Sequence, residues 1–311
     1  MTGSWKWQIL ELIYRFYVGI ALSILSRIDF GSNIYEKEWD VLIVLDTCRV
    51  DTLRDVADEF EFLGDVQPIW SVGSTSSEWI AKTFTSPYEK EISNTTLISA
   101  NPHTEITLFD RVFPKDEKNA LFAWTSWDTV EPRHFGEILQ PWKYAVDERY
   151  DRVLPERLTD IAVSTYREQD PERMIIHYMQ PHCPHVAQAI QENRKLTPVE
   201  RNPFEEVRRG NTDYDVIRGN HINDLQYVLE TGIKPLLQNI DADQVVITAD
   251  HGDGFGEWGS HGHPAGDLRP QIRRVPWVET TAENKDAIDI SKPAETNERS
   301  KKEQLEALGY M

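Results

Sequence analysis

Cysteine is nearly absent. The 311 residues hold two, Cys48 and Cys183, with no C-x-x-C spacing and no partner set for a disulfide framework. A disulfide scaffold is excluded, and a reduced or disulfide-indifferent compartment, hence a cytoplasmic location, is the expectation. Positive charge is also scarce. Lys and Arg number 33 against 52 Asp and Glu, a formal charge of −19. Nucleic acid is excluded as the main partner, because a phosphate backbone asks for stripes of Lys and Arg. The acidity fits either a surface kept hydrated in a salt-rich, halophilic cytoplasm or an ordinary acidic enzyme. Such a field repels an anionic substrate, so a site for one needs local positive charge, most simply a metal ion.

Long apolar runs are missing too. The N-terminal stretch, residues 9–28, is apolar but interrupted by Glu11, Arg15 and Arg27, and its longest uncharged run is the 11 residues 16–26. A spanning helix needs about 20 apolar residues, and no small-residue cleavage site marks a signal peptide. Ile9, Ile13, Tyr17, Ile20 and Ile24 fall on one helical face, with Glu11 and Arg15 four apart on another. The pattern predicts an amphipathic helix within residues 1–35. It either packs on the protein or makes peripheral membrane contact.

Hydrophobic residues make up 40% of the chain, enough for a sizeable core. Three short β-branched runs read as buried parallel strands: WDVLIVL (39–45), MIIHY (174–178) and QVVIT (244–248). A long helical pattern, residues 214–240, lies between the last two. Strand, helix, strand is the signature of a parallel sheet. In such sheets ligands bind beyond the carboxyl ends of the strands. Asp46, His182, Asp250 and His251 all come just after one of the three runs. Residues 36–280 are expected to form one catalytic α/β domain. A polar linker and a short docking helix follow in residues 281–311, the polar tract itself beginning near Glu279.

The densest chemistry is in TADHGDGFG (248–256) and GSHGHP (259–264). Asp and neutral His suit Zn²⁺ or Mn²⁺, and carboxylates alone suit Mg²⁺ or Ca²⁺. A glycine-rich turn with surface histidines is the plain alternative. The hydroxyl cluster Ser71, Ser74, Thr75, Ser76 and Ser77 precedes the helical stretch EWIAKTF. A helix N-terminus stabilises an alkoxide and binds anions, although an N-capping serine run would look the same. Arg49 is placed to clamp an anionic oxygen or to pair with Asp51 or Asp55. His177 lies inside a strand and is expected in the core, Cys48 as a buried small hydrophobe. Trp124, Trp127 and Trp142 are expected to be core residues rather than sugar platforms.

Taken together, QVVITADHGDGFGEWGSHGHP followed by RRVPWV resembles the C-terminal signature of the sulfatase-like branch of the alkaline phosphatase superfamily. WDVLIVLDTCRVD resembles that family's first strand with its metal-binding Asp. HYMQPHCPH resembles its P-H-x-P loop, residues 214–237 its long helix, and LEALGY a common sulfatase ending. The resemblance implies an α/β/α sandwich with a mostly parallel central sheet. It implies one divalent ion (Mn, Zn, Mg or Ca) held by Asp46, Asp250, His251 and the nucleophile oxygen. Residues 224–228 lack the His of two-metal members, which favours a single ion. His263, or else His261, is implied as the group that protonates the leaving oxygen. Arg49, His182, His185 and His261 are the candidate substrate contacts, with a structural histidine as the equal alternative for His185.

For the nucleophile the frames differ. In lipoteichoic-acid synthase-like and phosphoethanolamine transferase-like members a Thr stands five residues before an aromatic, and that spacing from Trp79 selects Ser74. The sulfatase frame laid on residues 83–86 selects Ser76. Ser74 ranks first, then Ser76 and Thr75. Neither cysteine lies in a formylglycine frame. The implied function is therefore a hydrolase or transferase of phosphate or sulfate esters through a Ser/Thr nucleophile. The substrate would be a small-molecule, glycan-linked or lipid-linked anionic ester. A sulfatase with unusual activation and a non-catalytic envelope-assembly protein are the rivals.

Overall fold

The computed structural model describes residues 4–286. Strand β1 (Val41–Leu45) is buried along its whole length. It pairs in parallel with β5 (Arg173–Tyr178) on one side and β6 (Ala242–Thr248) on the other. Val41 faces both Met174 and Val245, so all three strands finish at nearly the same level. The expected strands are thus central to the sheet. Their neighbours are β2 (Gln67–Trp70), β3 (Thr95–Ser99), β4 (Glu137–Leu139) and β9 (Arg274–Ala282), in the order β2-β9-β6-β1-β5-β3-β4. Within this sheet only the pairings of β9 with β6 and β2 are antiparallel. A small hairpin of β7 (Gly254–Phe255) and β8 (His261–Gly262) stands beyond the carboxyl edge.

Alternation along β1 divides the core. Val41, Ile43 and Leu45 pack on one face with Leu53, Leu158 and Leu225. These come from helices α2 (Val50–Val56), α4 (Pro155–Gln169) and α5 (Tyr214–Val228). Leu42 and Val44 pack on the other face with Trp79 and Ile80 of α3 (Ser76–Thr83). Each fully buried aliphatic side chain contributes about 1.5–3 kcal/mol, so two such layers fix the sheet between helices. The result is the α/β/α sandwich expected from the sequence.

Three expectations shift. The helix predicted over 214–240 begins as expected, its N-cap Asp213 accepting from Val216 N at 3.0 Å. It then passes through a wide turn, Leu229–Ile233, before a last turn, Lys234–Leu237. Pro235 has no N–H to continue a regular ladder there. Second, residues expected to open the polar tail at Glu279 close strand β9 instead, where Ala282 pairs with Ala242. The docking helix expected near residue 302 lies outside the described residues. Third, Trp142 is core as expected, but Trp124 is 72% exposed.

Candidate active site

The parallel register delivers Asp46 and Asp250 to one edge. Asp46 N–H donates to Tyr178 O at 3.1 Å, locking the end of β1 to β5. The next residue, Thr47, stands at φ 65°, a left-handed conformation that costs a β-branched residue about 1–3 kcal/mol. Its N–H donates to Asp250 Oδ1 at 3.3 Å, which ties that conformation to the β6 end. Gly252 is required by close approach: a Cβ there would lie 2.2 Å from Gln271 O.

Asp46, His177 and Asp250 are fully buried and offer ligand atoms within 4.8 Å of one another. His251 completes the group, its Nε2 3.4 Å from Asp250 Oδ2 and 3.8 Å from Asp46 Oδ1. The His251 Nδ1 lies 2.9 Å from Gly252 O. As donor to that carbonyl, Nδ1 carries the proton, which leaves the Nε2 lone pair facing the carboxylates. Burial holds the His251 pKa down to about 4, so the ring is neutral. Burial, and next the Asp250 carboxylate, push Asp46 well above the ordinary range. Burial also raises Asp250, but His251, His177 and a Ser76 hydrogen bond outweigh it and leave its pKa lowered.

Two adjacent buried carboxylates beside the neutral His251 ring form a site short of positive charge. Asp46 Oδ1 and both His177 ring nitrogens have no hydrogen-bond partner. Unpartnered ligand atoms converging on one point fit a divalent ion of the Zn²⁺ or Mn²⁺ type.

The hydroxyl cluster is sorted by the start of α3. Thr75 is the N-cap, accepting from Glu78 N at 3.2 Å, and its hydroxyl also meets Ser77 Oγ at 3.1 Å. Ser76 is the first helical residue. Its Oγ donates to Asp250 Oδ2 at 2.7 Å, accepts from Asn101 Nδ2 at 2.9 Å, and lies 3.4 Å from His251 Nε2. Ser74, ranked first from the sequence and expected at the metal, is placed elsewhere. Its Oγ donates to Glu78 Oε2 at 2.7 Å and accepts from Asp267 N at 3.2 Å. Gly73 forces this turn: a Cβ would lie 2.3 Å from Trp79 N. With Thr75 in the capping position, Ser74 is turned away from the carboxylates and Ser76 toward them.

The other expected contacts divide. His263 reaches the site, with its ring centroid 4.4 Å from that of His251 and Nδ1 3.2 Å from Asp253 Oδ1. His182 lies 5.2 Å from His263, ring to ring, and burial keeps its pKa well below the usual value. His261 stands at the rim, where it meets the Tyr214 hydroxyl. His185 is buried beside Asp224, at 3.4 Å, and His221. Arg49 is engaged structurally. It donates to both Asp51 oxygens at 2.8 and 2.9 Å, to Glu257 at 2.7 Å and to Asp253 O at 2.9 Å. Ser76, Thr75, His182, His263 and His261 line one cavity of about 1190 Å³.

Two members of the centre were not anticipated. His177, expected in the core, projects from β5 toward Asp250, with Nε2 3.6 Å from Oδ2. Asn101 follows β3 and bridges Asp46 Oδ2 and Ser76 Oγ, both at 2.9 Å. TTLIS of β3 ends at the same edge as the three expected strands, but without their apolar run.

No family model matches the sequence, and no curated protein matches it. Solved structures do match in fold. One is the soluble domain of lipooligosaccharide phosphoethanolamine transferase A from Neisseria meningitidis: TM-score 0.51, 12% identity, over 81% of this chain and 79% of that one. A second is the integral membrane form of that transferase: TM-score 0.50, 12% identity, over 83% of this chain and 52% of that one. The chain thus spans about half the length of the integral membrane protein. A third is the C-terminal periplasmic domain of a phosphoethanolamine transferase from Campylobacter jejuni: TM-score 0.45, 14% identity, over 79% of each chain. The fold is alkaline-phosphatase-like, as the sequence motifs implied, and is shared with these transferase structures. The cytoplasmic location expected from scarce cysteine is corrected by these neighbours. The same fold serves as the soluble domain of an integral membrane protein, so two unpaired cysteines do not place the chain in the cytoplasm.

Proposed function

We propose that this chain is a metal-dependent enzyme that transfers a phosphoryl-type group from an anionic ester, through Ser76, to water or to an acceptor hydroxyl. One observation carries the proposal. Ser76 Oγ is hydrogen-bonded to Asp250 at 2.7 Å, at the start of α3, and opens onto the cavity. Asp46, Asp250, His251 and His177 would hold the ion. Bound there, a divalent ion lowers the pKa of a hydroxyl and draws charge from the ester oxygens.

The chain's own groups set the rest. Asn101 Nδ2 holds Ser76 Oγ in line with Asp46 and supplies a hydrogen bond to the alkoxide after its proton is lost to solvent. Ser76 Oγ then bonds to phosphorus while the bond to the leaving oxygen breaks, its electron pair staying with that oxygen. His263, on the cavity wall, gives a proton to the leaving oxygen. In the return half, His263 takes the proton of the acceptor O–H. The acceptor oxygen bonds to phosphorus, and the phosphorus–Oγ bond breaks to restore Ser76.

The test compares Ser76→Ala with Ser74→Ala on bis-p-nitrophenyl phosphate and on p-nitrophenyl sulfate. Loss of a nucleophile costs roughly 10³-fold or more in kcat. Ser76→Ala is expected to lose that much while its metal content is kept. Ser74→Ala should keep most turnover. Wild-type rates in Ser76→Ala would end the proposal, and turnover of the sulfate alone would replace phosphate by sulfate in it.

A further inference from the structure

We infer that the exposed face of α1 (Ser4–Leu25), together with residues 121–124, docks on an anionic lipid surface and presents a lipid-tethered ester to the cavity. The second part rests on the ester-transfer reading above; the docking itself does not.

Helix α1 has two unlike faces. Val18 and Leu22 pack against Ala265 and are fully buried. Ile9, Leu12, Ile13, Phe16, Ile20 and Ile24 are each 44–59% exposed. Ile9, Ile13, Ile20 and Ile24 belong to the apolar stripe seen in the sequence, Leu12 and Phe16 widen it, and the stripe's remaining member, Tyr17, is half-exposed at the cavity. A second segment extends it, with Phe122 and Trp124 exposed by 67% and 72%. The two are clamped together. Leu121 N–H donates to Arg15 O at 3.1 Å, Trp124 N–H donates to Ser23 Oγ at 2.8 Å, and Phe122 meets Phe16 edge to face. Soluble monomers rarely expose a contiguous apolar ridge of this extent.

Charge selects the occupant. Residues 1–28 hold Lys6, Arg15 and Arg27 against the single acid Glu11, in a chain of formal charge −19. An apolar helix with local cations suits an anionic bilayer. The acidic remainder is repelled by the same surface, which orients the molecule with α1 down. Among the described residues no helix is long and apolar enough to cross a membrane, so α1 lies in the interface plane. A helix of this kind is also convex, and a protein partner would have to supply the groove.

The ridge is continuous with the site. Tyr14 and Tyr17 of α1 line the same cavity as Ser76 and His263. Lys118, Arg201, Arg208 and Arg269 line it as well, against the acids Glu205 and Asp267, the latter paired with Arg269. One cavity thus brings together α1, an excess of cations and the reactive centre, the three features that an amphiphile's chain, anionic head and ester would meet.

The full chain and the variant Leu12→Ser/Phe16→Ser/Ile20→Ser are floated with phosphatidylcholine vesicles, with and without 30 mol% phosphatidylglycerol. The wild type is expected to float with the anionic vesicles, and the variant at least tenfold less. Equal flotation of the two forms, or flotation of neither, overturns the docking. A wild-type dimer that becomes monomeric in the variant overturns it too, because a second copy then covers the ridge. For the substrate, kcat/KM is compared for dodecyl and methyl p-nitrophenyl phosphate on vesicles. The dodecyl ester should be favoured tenfold or more by the wild type and lose that advantage in the variant. No chain-length preference overturns the lipid-tethered substrate. If neither ester turns over while flotation holds, the ester-transfer reading falls and the docking stands.

Discussion

The loop before α3 is held by a buried charge pair, and cutting that pair should destabilise the fold and displace Ser76 together. Glu78 and Arg273 are both fully buried, with Arg273 Nη2 2.7 Å from Glu78 Oε1. Glu78 Oε2 also accepts from Ser74 N at 3.0 Å and Ser74 Oγ at 2.7 Å. Arg273 Nε donates to Asp267 O at 2.6 Å. The pair therefore fastens the turn at residues 73–75 to the segment entering β9. Replacing Glu78 by Leu leaves a buried guanidinium unpaired, which costs about 3–5 kcal/mol. For a chain of this size that is a drop in Tm of roughly 6–10 °C. Replacing both partners, Glu78→Leu with Arg273→Met, removes the uncompensated charge. That double variant should be at least about 1 kcal/mol more stable than the sum of the two single changes. Thermal unfolding followed by circular dichroism of the four forms gives both numbers. A Glu78→Leu variant melting within about 1 °C of wild type, or a strictly additive cycle, would refute the assignment of the pair as the fastening of this loop.

Gly73→Ala places a Cβ against the Trp79 backbone at 2.3 Å. It should lose about 1–3 kcal/mol in urea unfolding, with turnover falling further than stability, because α3 must shift. His177→Leu removes two unpartnered ring nitrogens from the Asp46–Asp250 group. It should weaken binding of Zn²⁺ or Mn²⁺ by roughly 10–100-fold in equilibrium dialysis; unchanged affinity would return His177 to the core. Salt should help rather than hinder. The formal charge of −19 repels an anionic soluble ester at long range, and the Debye length shrinks from about 30 Å at 0.01 M to about 8 Å at 0.15 M. The KM for bis-p-nitrophenyl phosphate should therefore fall over that range, and a rise would mean that the cavity's local cations dominate.

The legible part of this molecule is the part governed by burial on both faces. Residues 41–45, 174–176 and 245–247 are apolar and buried at every pleat because helices cover both sides of the sheet, so runs alone revealed three adjacent strands. Their shared register then made the strand-end rule effective for Asp46, Asp250 and His251. The rule failed where it was not applied: TTLIS of β3 carries hydroxyl residues at three of its five positions and shows no apolar run, yet it delivers Asn101 to the same edge. His177 was illegible for a different reason. It occupies the next-to-last position of β5, on the face that Trp79 covers, with ring centroids 5.6 Å apart. Strand periodicity marks such a position as interior and carries no information about which neighbour brings a carboxylate. The choice between Ser74 and Ser76 turns on which residue caps α3. A run of hydroxyl residues offers several equivalent caps, so the local sequence is degenerate at that point. The degeneracy is broken from outside the helix. Gly73 lets the turn approach Trp79, and Glu78 with Arg273, remote by 195 positions, takes up Ser74. The amphipathic N-terminus was ambiguous in the same way. A helical stripe shows that one face is apolar, but whether that face turns inward depends on Val18 and Leu22 finding Ala265. The long-range partner, rather than the stripe, set the orientation and left the ridge outside.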